Sequence, residues 1–452
     1  MKKLLTIFIC LCLFPGIRQA VAQTTPSSVH LKGQLIDMGT TSVPCLYDGA
    51  AALLGDSRNL FIETDKDGFF DITIPLSEPT YYRLSRNTLY LTPGDDMTVK
   101  ITQNNREATF EGVGAEANLY MRFRLFPHGG SFLEAGDNMR EDFKSTRELI
   151  ESLAAKRQQE LNSLKNVSNE FKRLEGARIK ADILNSYLSY EGYYSSVYKV
   201  NREEMKKRFQ NFNQELEPIA HSILKELNDD AFLNVAVARD VLSYFFNPPY
   251  ADWAKDITFT PRAKELYGAT KYVQRLRRQL TPEELKEVNS YVSTMKNEDF
   301  RQELTQKVEE ASRLMPGKPA FDIEMTDKEG NAHKLSELKG KVLYVDLWAT
   351  WCGPCCAESP FFEKLSKEFA GKEILFVPIS TDQHRKVWLG YLDAHAKELT
   401  QYNTVDTGLS TQWKVFGIPR FLLIDKDFNI INAYAPRPSE EGTKALLESL
   451  LK

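Results

Sequence analysis

Two cysteines near residue 350 are spaced for thiol–disulfide exchange. Cys352 and Cys355 enclose Gly353 and Pro354, and they follow an apolar run that is typical of a buried strand. If a helix begins at this point, the free N–H groups and the dipole of its first turn favour a thiolate at Cys352, and they lower its pKa from about 8.5 toward roughly 7 or below. Cys352 is then the nucleophile, and Cys355, one turn along, can attack the mixed disulfide and release the product. Pro354 fits the first turn without the loss of a hydrogen bond.

Zinc binding and a purely structural disulfide are the alternatives for such a pair. A structural zinc site needs four ligands, usually supplied by two cysteine pairs. Besides Cys356, this part of the chain offers only three histidines, none of them in a paired spacing: His333, His384 and His395. We therefore expect a redox pair, with neither a metal nor a cofactor.

The first 22 residues have the features of a secretory signal peptide. Two lysines precede an apolar stretch, residues 4–14, that is too short to span a bilayer comfortably, and an Ala-Val-Ala sequence ends at Ala22. Cleavage there starts the mature chain at Gln23. An uncleaved N-terminal membrane anchor is the alternative. We expect an exported, periplasmic protein with no stable membrane insertion after cleavage.

Cysteine usage and composition narrow the class of protein. Cleavage removes Cys10 and Cys12 and leaves four of the six cysteines, three of them within five residues, unlike a disulfide-stapled scaffold. The 452 residues have 42% apolar side chains and a net charge of −4, as in a soluble globular protein. Without a basic excess, nucleic acid is not an expected partner. At about 150 residues per domain, the length corresponds to roughly three domains.

Periodicity divides the mature chain into three predicted domains. Short alternating strands with turn signals between them predict a β-sandwich-like module over 23–113. Apolar residues at helical spacing predict an α-helical region over 114–315. Alternating strand and helix patterns predict an α/β domain around a mixed sheet over 316–452. The expected fold class is a multidomain chain that ends in an α/β domain.

Local signals refine this picture. The Asp65–Gly68 segment predicts a hairpin turn, since the ligand pattern of a calcium loop is incomplete. Asn201 and Thr281 have the residue types of helix N-caps. Four tyrosines at helical spacing predict a tyrosine-rich core, with a ligand-stacking surface as the alternative: Tyr187, Tyr190, Tyr194 and Tyr198. The module's strands are expected to be antiparallel, and the last domain's helices are expected at 356–370, 384–397 and 439–451.

Residues 317–452 resemble a thioredoxin-fold domain of the exported TlpA/ResA-like thiol–disulfide oxidoreductases. The core of the resemblance is the run that begins at Val345, Val-Asp-Leu-Trp-Ala-Thr-Trp-Cys-Gly-Pro-Cys. Glu358 and Pro360 also fit that branch, and the Gly-Ile-Pro sequence that ends at Pro419 resembles its cis-proline loop. The residues before 316 only loosely resemble the additional N-terminal domains of some members.

The resemblance implies a role for each matching residue. Cys352 is the attacking thiol, Cys355 is the resolving thiol, and the two form the redox disulfide. Asp346 corresponds to the buried acid beneath the resolving thiol, where its pKa is raised and it can accept that thiol's proton. A partly solvated acid at the strand end is the alternative for Asp346. The substrate-docking residues are expected to be Trp351, Gly353, Pro354, Ile418 and Pro419.

The sequence as a whole predicts an exported thiol–disulfide oxidoreductase whose substrates are protein thiols and disulfides. Gly-Pro between the cysteines resembles the reducing members, so we expect a reductase rather than an oxidase, recycled by a membrane-bound redox donor. A thiol-dependent peroxidase and an assembly factor that uses the last domain as a scaffold are the competing functions. Cys356 is expected to be a small helix residue, with a redox or regulatory role as the alternative. Cys45 is expected to be a free thiol, with a docking disulfide as the alternative.

Overall fold

The fold is described from a computed structural model that covers residues 28–122, 130–395 and 397–451. The predicted signal peptide, residues 1–22, lies outside the described residues. The described residues form two compact units. We call residues 28–44, 61–122 and 164–168 the β unit, and residues 45–60, 130–163 and 169–451 (without 396) the main unit. The domain limits at 113 and 315 remain predictions from the sequence.

The first part of the described chain is β-rich, as predicted. Its elements are β1 (Ser28–Leu35), β2 (Ser42–Tyr47), β3 (Leu60–Glu63), β4 (Phe69–Pro75), β5 (Thr80–Leu84), β6 (Asn87–Leu91), β7 (Asp96–Ile101), β8 (Thr109–Val113) and α1 (Ala115–Met121). They form two four-stranded sheets, in the orders β4-β1-β7-β8 and β3-β2-β5-β6. The chain passes from the β unit to the main unit within β2 and returns within β3.

The pairing of β1 with β7 departs from the antiparallel prediction. β1 pairs with β4 in the antiparallel sense but with β7 in parallel. Residue alternation indicates which face of a strand is buried but not its direction, and the long connection through β2–β6 lets the chain re-enter the first sheet parallel to β1. The predicted hairpin turn is confirmed, since the Asp65 carboxylate accepts hydrogen bonds from the N–H groups of Asp67 and Phe69.

A helical region follows, and its predicted caps are confirmed. Its helices are α2 (Phe143–Ser163), α3 (Asn169–Tyr198), α4 (Arg202–Arg208), α5 (Phe212–Leu227), α6 (Ala236–Tyr244), α7 (Pro261–Arg275), α8 (Pro282–Thr294) and α9 (Glu298–Arg313). The Asn201 side chain caps α4, and Thr281 and Glu284 form a reciprocal capping box at the start of α8. Three of the four predicted core tyrosines, Tyr187, Tyr190 and Tyr194, are buried.

The C-terminal part of the main unit is the predicted α/β fold. Its elements are β9 (Glu324–Asp327), β10 (Ala332–Lys334), β11 (Val342–Trp348), α10 (Gly353–Glu368), β12 (Ile374–Ser380), α11 (Arg385–Ala394), β13 (Tyr402–Asn403), α12 (Gly408–Thr411), β14 (Arg420–Ile424), β15 (Ile430–Ala435) and α13 (Thr443–Ser449). The sheet order is β10-β9-β13-β12-β11-β14-β15. β11 is parallel to β12 and antiparallel to β14, so the sheet is mixed, as expected.

The central strand β11 positions Asp346 and the residues that lead into α10. All seven of its residues are buried, because the sheet is covered on both faces. Leu343 and Val345 pack in one core, whereas Val342 and Tyr344 pack in the other, together with side chains of α10. Since side chains alternate along a strand, Asp346 lies on the same face as Tyr344, under α10. None of the described helices is both long and apolar enough to span a membrane.

Candidate active site

The strand–helix junction holds the two predicted cysteines at the start of α10. The helix begins at Gly353, three residues earlier than expected, because Cys352 is its N-cap and Pro354 occupies the first turn. The Cys352 sulfur accepts a hydrogen bond from the N–H of Cys355, with a donor–acceptor distance of 3.2 Å. Cys352 and Cys355 form a disulfide, with 5.2 Å between their Cα atoms. A sulfur at this position faces the positive end of the helix dipole, which favours a thiolate after reduction.

The disulfide lies in a small apolar cluster. Its sulfur-bearing residues are nearly buried, with 5% of Cys352 and 1% of Cys355 exposed. Trp348 and Trp388 are among the residues that pack around them. Trp351, by contrast, is 72% exposed. Cys355 is therefore covered, and the small exposed part of Cys352, next to the exposed ring of Trp351, is where a substrate could approach.

The loop that precedes β14 borders this approach. The Ile418 carbonyl oxygen is 3.8 Å from the Cys352 sulfur. The peptide bond between Ile418 and Pro419 is cis, as the resemblance implied. Gly353 and Pro354 are exposed on the helix start. The structure therefore brings Ile418 and Pro419 to the same place as the cysteine pair.

Asp346 is a buried carboxyl in a setting that opposes its ionisation. Only 4% of the residue is exposed, and Oδ1 has no hydrogen-bond partner among the described residues. Burial raises the pKa of Asp346 to about 8, and the negative charge of Glu358 adds to the effect, while Lys397 opposes it. The alternative of a partly solvated acid is wrong, because β12 and β14 flank β11 at this residue.

Besides Asp346, the site contains a second buried carboxylate, Glu358, which lies on α10 one turn beyond Cys355. Its oxygens accept hydrogen bonds from the N–H and hydroxyl groups of Ser439, at 3.2 and 2.8 Å, and Arg437 lies 3.8 Å away. Lys397 is engaged by Ser359 and Glu363 rather than by either buried acid. The family resemblance includes Glu358, but no sequence signal identifies Lys397, since neither residue belongs to a local motif.

A buried hydrogen-bond network fixes the turn between β11 and α10. The Asp382 carboxylate accepts hydrogen bonds from the Thr350 N–H and hydroxyl groups, at 2.9 and 2.7 Å, and from the Ser380 hydroxyl at 2.7 Å. Asn403 donates to the backbone oxygens of Ser380 and Asp382. This network was not predicted from the sequence, although polar residues directly after the apolar strand β12 were a usable signal.

The remaining two described cysteines are free thiols. Cys356 is half-buried, and its sulfur lies 3.6 Å from the Tyr391 hydroxyl and 3.9 Å from the Thr350 carbonyl oxygen. Burial raises the pKa of Cys45 to about 12, so it is a poor nucleophile. The described residues contain no group of three histidine, cysteine, aspartate or glutamate side chains that could hold a metal ion.

Comparison with known proteins identifies the family of this fold. Residues 315–451 match the Redoxin family. Thiol-disulfide oxidoreductase ResA of Bacillus cereus is 24% identical over 138 residues, which are 30% of this chain and 80% of that protein. Thioredoxin-like protein YneN of Bacillus subtilis is 30% identical over 117 residues, 25% of this chain and 67% of that protein.

Solved structures are similar over a comparable share of the chain. A crystal structure of a candidate thiol-disulfide oxidoreductase from Bacteroides vulgatus is 60% identical and covers 31% of this chain and 99% of its own, with a TM-score of 0.31. The thioredoxin domain of the oxidoreductase BVU-2223 from the same organism is 23% identical over 30% of this chain and 98% of its own, with a TM-score of 0.28. Through residues 315–451, the chain belongs to the ResA/TlpA-like thiol–disulfide oxidoreductases of the thioredoxin fold.

Proposed function

We propose that this protein is an exported reductase of protein disulfides that acts through Cys352. The observation that carries the proposal is the position of the Cys352 sulfur, which caps α10 and accepts the Cys355 N–H hydrogen bond. Of the two sulfur-bearing residues, Cys352 is also the more exposed. A nucleophile needs both a stabilised thiolate and access for its target, and only Cys352 has both.

The reaction consists of two exchanges. In the first, the Cys352 thiolate attacks one sulfur of a substrate disulfide, forms a mixed disulfide and releases the other sulfur as a thiolate. In the second, the Cys355 thiol loses its proton and attacks the Cys352 sulfur. This attack closes the Cys352–Cys355 disulfide and releases the second substrate thiolate. The substrate gains two electrons, and the protein ends in the oxidised form described above.

Asp346 accepts the proton of Cys355 in this proposal. The carboxyl lies on the face of β11 under α10, in surroundings that raise its pKa to about 8. A base with a pKa near the working pH can both take up and return a proton. The carboxylate form takes the proton before the second exchange, and the acid form returns it to the released substrate thiolate or to solvent.

Substrate docks against the loop that carries Ile418 and Pro419. Proline at 419 has no N–H and holds the preceding carbonyl beside the Cys352 sulfur. An extended substrate segment can pair with the Ile418 backbone, and the exposed Trp351 ring, with Gly353 and Pro354, forms the other border.

In this proposal, the predicted signal peptide indicates the compartment in which the protein acts. A reductase in an oxidising compartment needs a supply of electrons, and a membrane-bound dithiol donor would re-reduce Cys352–Cys355 by the same two-step exchange. Gly-Pro between the cysteines supports the reducing direction through its resemblance to reducing relatives. The periplasm is the corresponding location.

Cysteine variants of the full mature chain test the assignment of the thiols. Cys355→Ser should retain attack but not release, so that disulfide-linked partners accumulate on a non-reducing gel. Cys352→Ser should trap none and should not reduce insulin. Cys356→Ser, which keeps the pair intact, is the matched control and should behave as wild type. Trapping by Cys352→Ser instead would reverse the roles, and absence of insulin reduction by the wild-type chain would favour the scaffold function.

A further inference from the structure

A cleft of about 460 Å³ lies within the main unit, beside the loop that carries Ile418 and Pro419. One wall consists of residues 52–56, and a second comes from the end of α7 and from α9. The third wall contains Phe416, Gly417 and Arg420, which flank the proposed docking loop. The cleft therefore continues the surface along which a substrate would approach Cys352.

The ion pairs of the cleft leave an excess of positive charge. Lys307 contacts the carboxylates of Asp56 and Glu310 at 2.6 and 3.2 Å, and Lys414 contacts the other Glu310 oxygen at 2.9 Å. These two lysines and two acids neutralise one another. The lining also includes two arginines, Arg277 and Arg420. Two positive charges thus remain uncompensated within the cleft.

Each arginine has at least one side-chain donor without an acceptor among the described residues. The Nε of Arg420 donates to the Ala433 carbonyl oxygen at 2.7 Å, and its guanidinium lies 3.4 Å from the centre of the Tyr434 ring. Its Nη2 is buried and has no hydrogen-bond partner among the described residues. Arg277 is exposed, and no described carboxylate pairs with it. A buried donor without a partner carries a desolvation cost, which a bound acceptor would remove.

An exposed aromatic side chain lines the same cleft as these donors. Phe416 is 73% exposed, although it is a large aromatic residue, and it precedes Ile418 by two positions. Arg420 follows Ile418 by two positions and lines the cleft, so an extended segment paired with Ile418 runs past this wall of the cleft.

We propose that this cleft binds an acidic side chain, Asp or Glu, in the extended segment that flanks the attacked cysteine of a protein substrate. The inference rests on the proposed function, and it adds a substrate preference that the cysteine pair alone does not provide. Arginine and carboxylate groups match in geometry, and a hydrogen bond between them is charge-assisted. Phe416 would cover the apolar part of the segment.

Three capped peptides test the proposal with the full mature chain in its reduced form. Each contains one cysteine in a mixed disulfide with a nitrothiobenzoate group, and the residues three positions to either side are both Glu, both Gln or both Lys. Attack by Cys352 on the peptide sulfur releases the coloured thiolate, so the rate of colour formation measures the first exchange. The Glu peptide should react about three- to ten-fold faster than the Gln peptide, and the Lys peptide more slowly than either.

Charge reversal in the cleft separates this proposal from the function on which it rests. Arg277→Glu should abolish or invert the ratio of the Glu to the Lys peptide rate. Lys264→Glu is the matched control, because Lys264 is exposed near the start of α7, about 17 Å by helical rise from the end of that helix at Arg275, and it should keep the wild-type ratio. Equal rates for all three peptides in the wild type, or an unchanged ratio in Arg277→Glu, would overturn the cleft proposal while the reductase stands. Failure of every peptide to react would overturn both.

Discussion

Replacing Asp346 with asparagine should make the stability of the oxidised C-terminal fold less dependent on pH. The folded protein raises the pKa of this carboxyl from 3.8 to about 8. Between these two values the native state binds one proton that the unfolded chain does not, so the free energy of unfolding falls as pH rises. Asparagine cannot ionise, and this part of the pH dependence disappears with it.

The expected size of the effect follows from the two pKa values. One pKa unit corresponds to about 1.36 kcal/mol. At pH 4 the raised pKa of Asp346 lowers the unfolding free energy only slightly, whereas at pH 7 it lowers the unfolding free energy by roughly 4 kcal/mol. The difference in unfolding free energy between Asp346→Asn and wild type should therefore increase by about 4 kcal/mol from pH 4 to pH 7. Any constant cost of burying the amide cancels in this comparison.

Denaturant unfolding of the oxidised protein measures this difference. Four of the five tryptophans follow residue 316, so tryptophan fluorescence reports mainly on the C-terminal fold. Asp393→Asn is the control, since the Asp393 side chain is 69% exposed on α11, and its profile should parallel that of wild type. If Asp346→Asn also parallels wild type between pH 4 and pH 7, the carboxyl does not carry a raised pKa and the reasoning fails.

Three further predictions concern exchange rate, the active-site turn and the free thiols. Asp346→Asn should slow insulin reduction most at neutral pH and below, by up to the factor of about 100–10,000 that is typical of a positioned base. The defect should shrink above the pKa of the resolving thiol, because the thiol then ionises without a positioned base. An unchanged rate at pH 7 would mean that another group acts as the base. Thr350→Val should lower the unfolding free energy by about 1–3 kcal/mol and slow insulin reduction, because it removes a hydrogen-bond donor from the buried Asp382 carboxylate. Full activity of this variant would show that the hydrogen bonds of Asp382 do not position the turn between β11 and α10. Mass spectrometry after alkylation of the native oxidised protein should find Cys356 labelled before Cys45, which is buried and has a raised pKa; rapid labelling of Cys45 would contradict its burial.

The fold of the last part of the chain could be predicted because its signals are local. A continuous apolar strand, a helix cap and a proline in the first turn are consecutive from Val342 to Cys355, so the sequence contains both the elements and the chemistry. The short strand β13 was not predicted, because two residues carry no usable periodicity. The parallel partner of β1 escaped prediction because strand direction depends on the connection, not on alternation.

The site was predictable to the extent that its residues share one segment. Cys352, Cys355 and Asp346 lie within ten residues, whereas Asp382 reaches Thr350 from the end of the neighbouring strand. Contacts of that kind depend on which strands become neighbours, and no single segment specifies this. Sequence patterns alone also could not show that Glu358 lies near enough to Asp346 to raise its pKa.

The equilibrium redox potential of the Cys352–Cys355 pair tests the central claim most directly. The mature chain would be equilibrated with glutathione or dithiothreitol buffers, and the fraction of reduced protein read by thiol alkylation. A disulfide reductase requires a low potential, and we expect a value near the roughly −270 mV of thioredoxin. A value close to the roughly −120 mV of a strong oxidant such as DsbA would contradict the account, since the pair would then donate disulfides rather than reduce them.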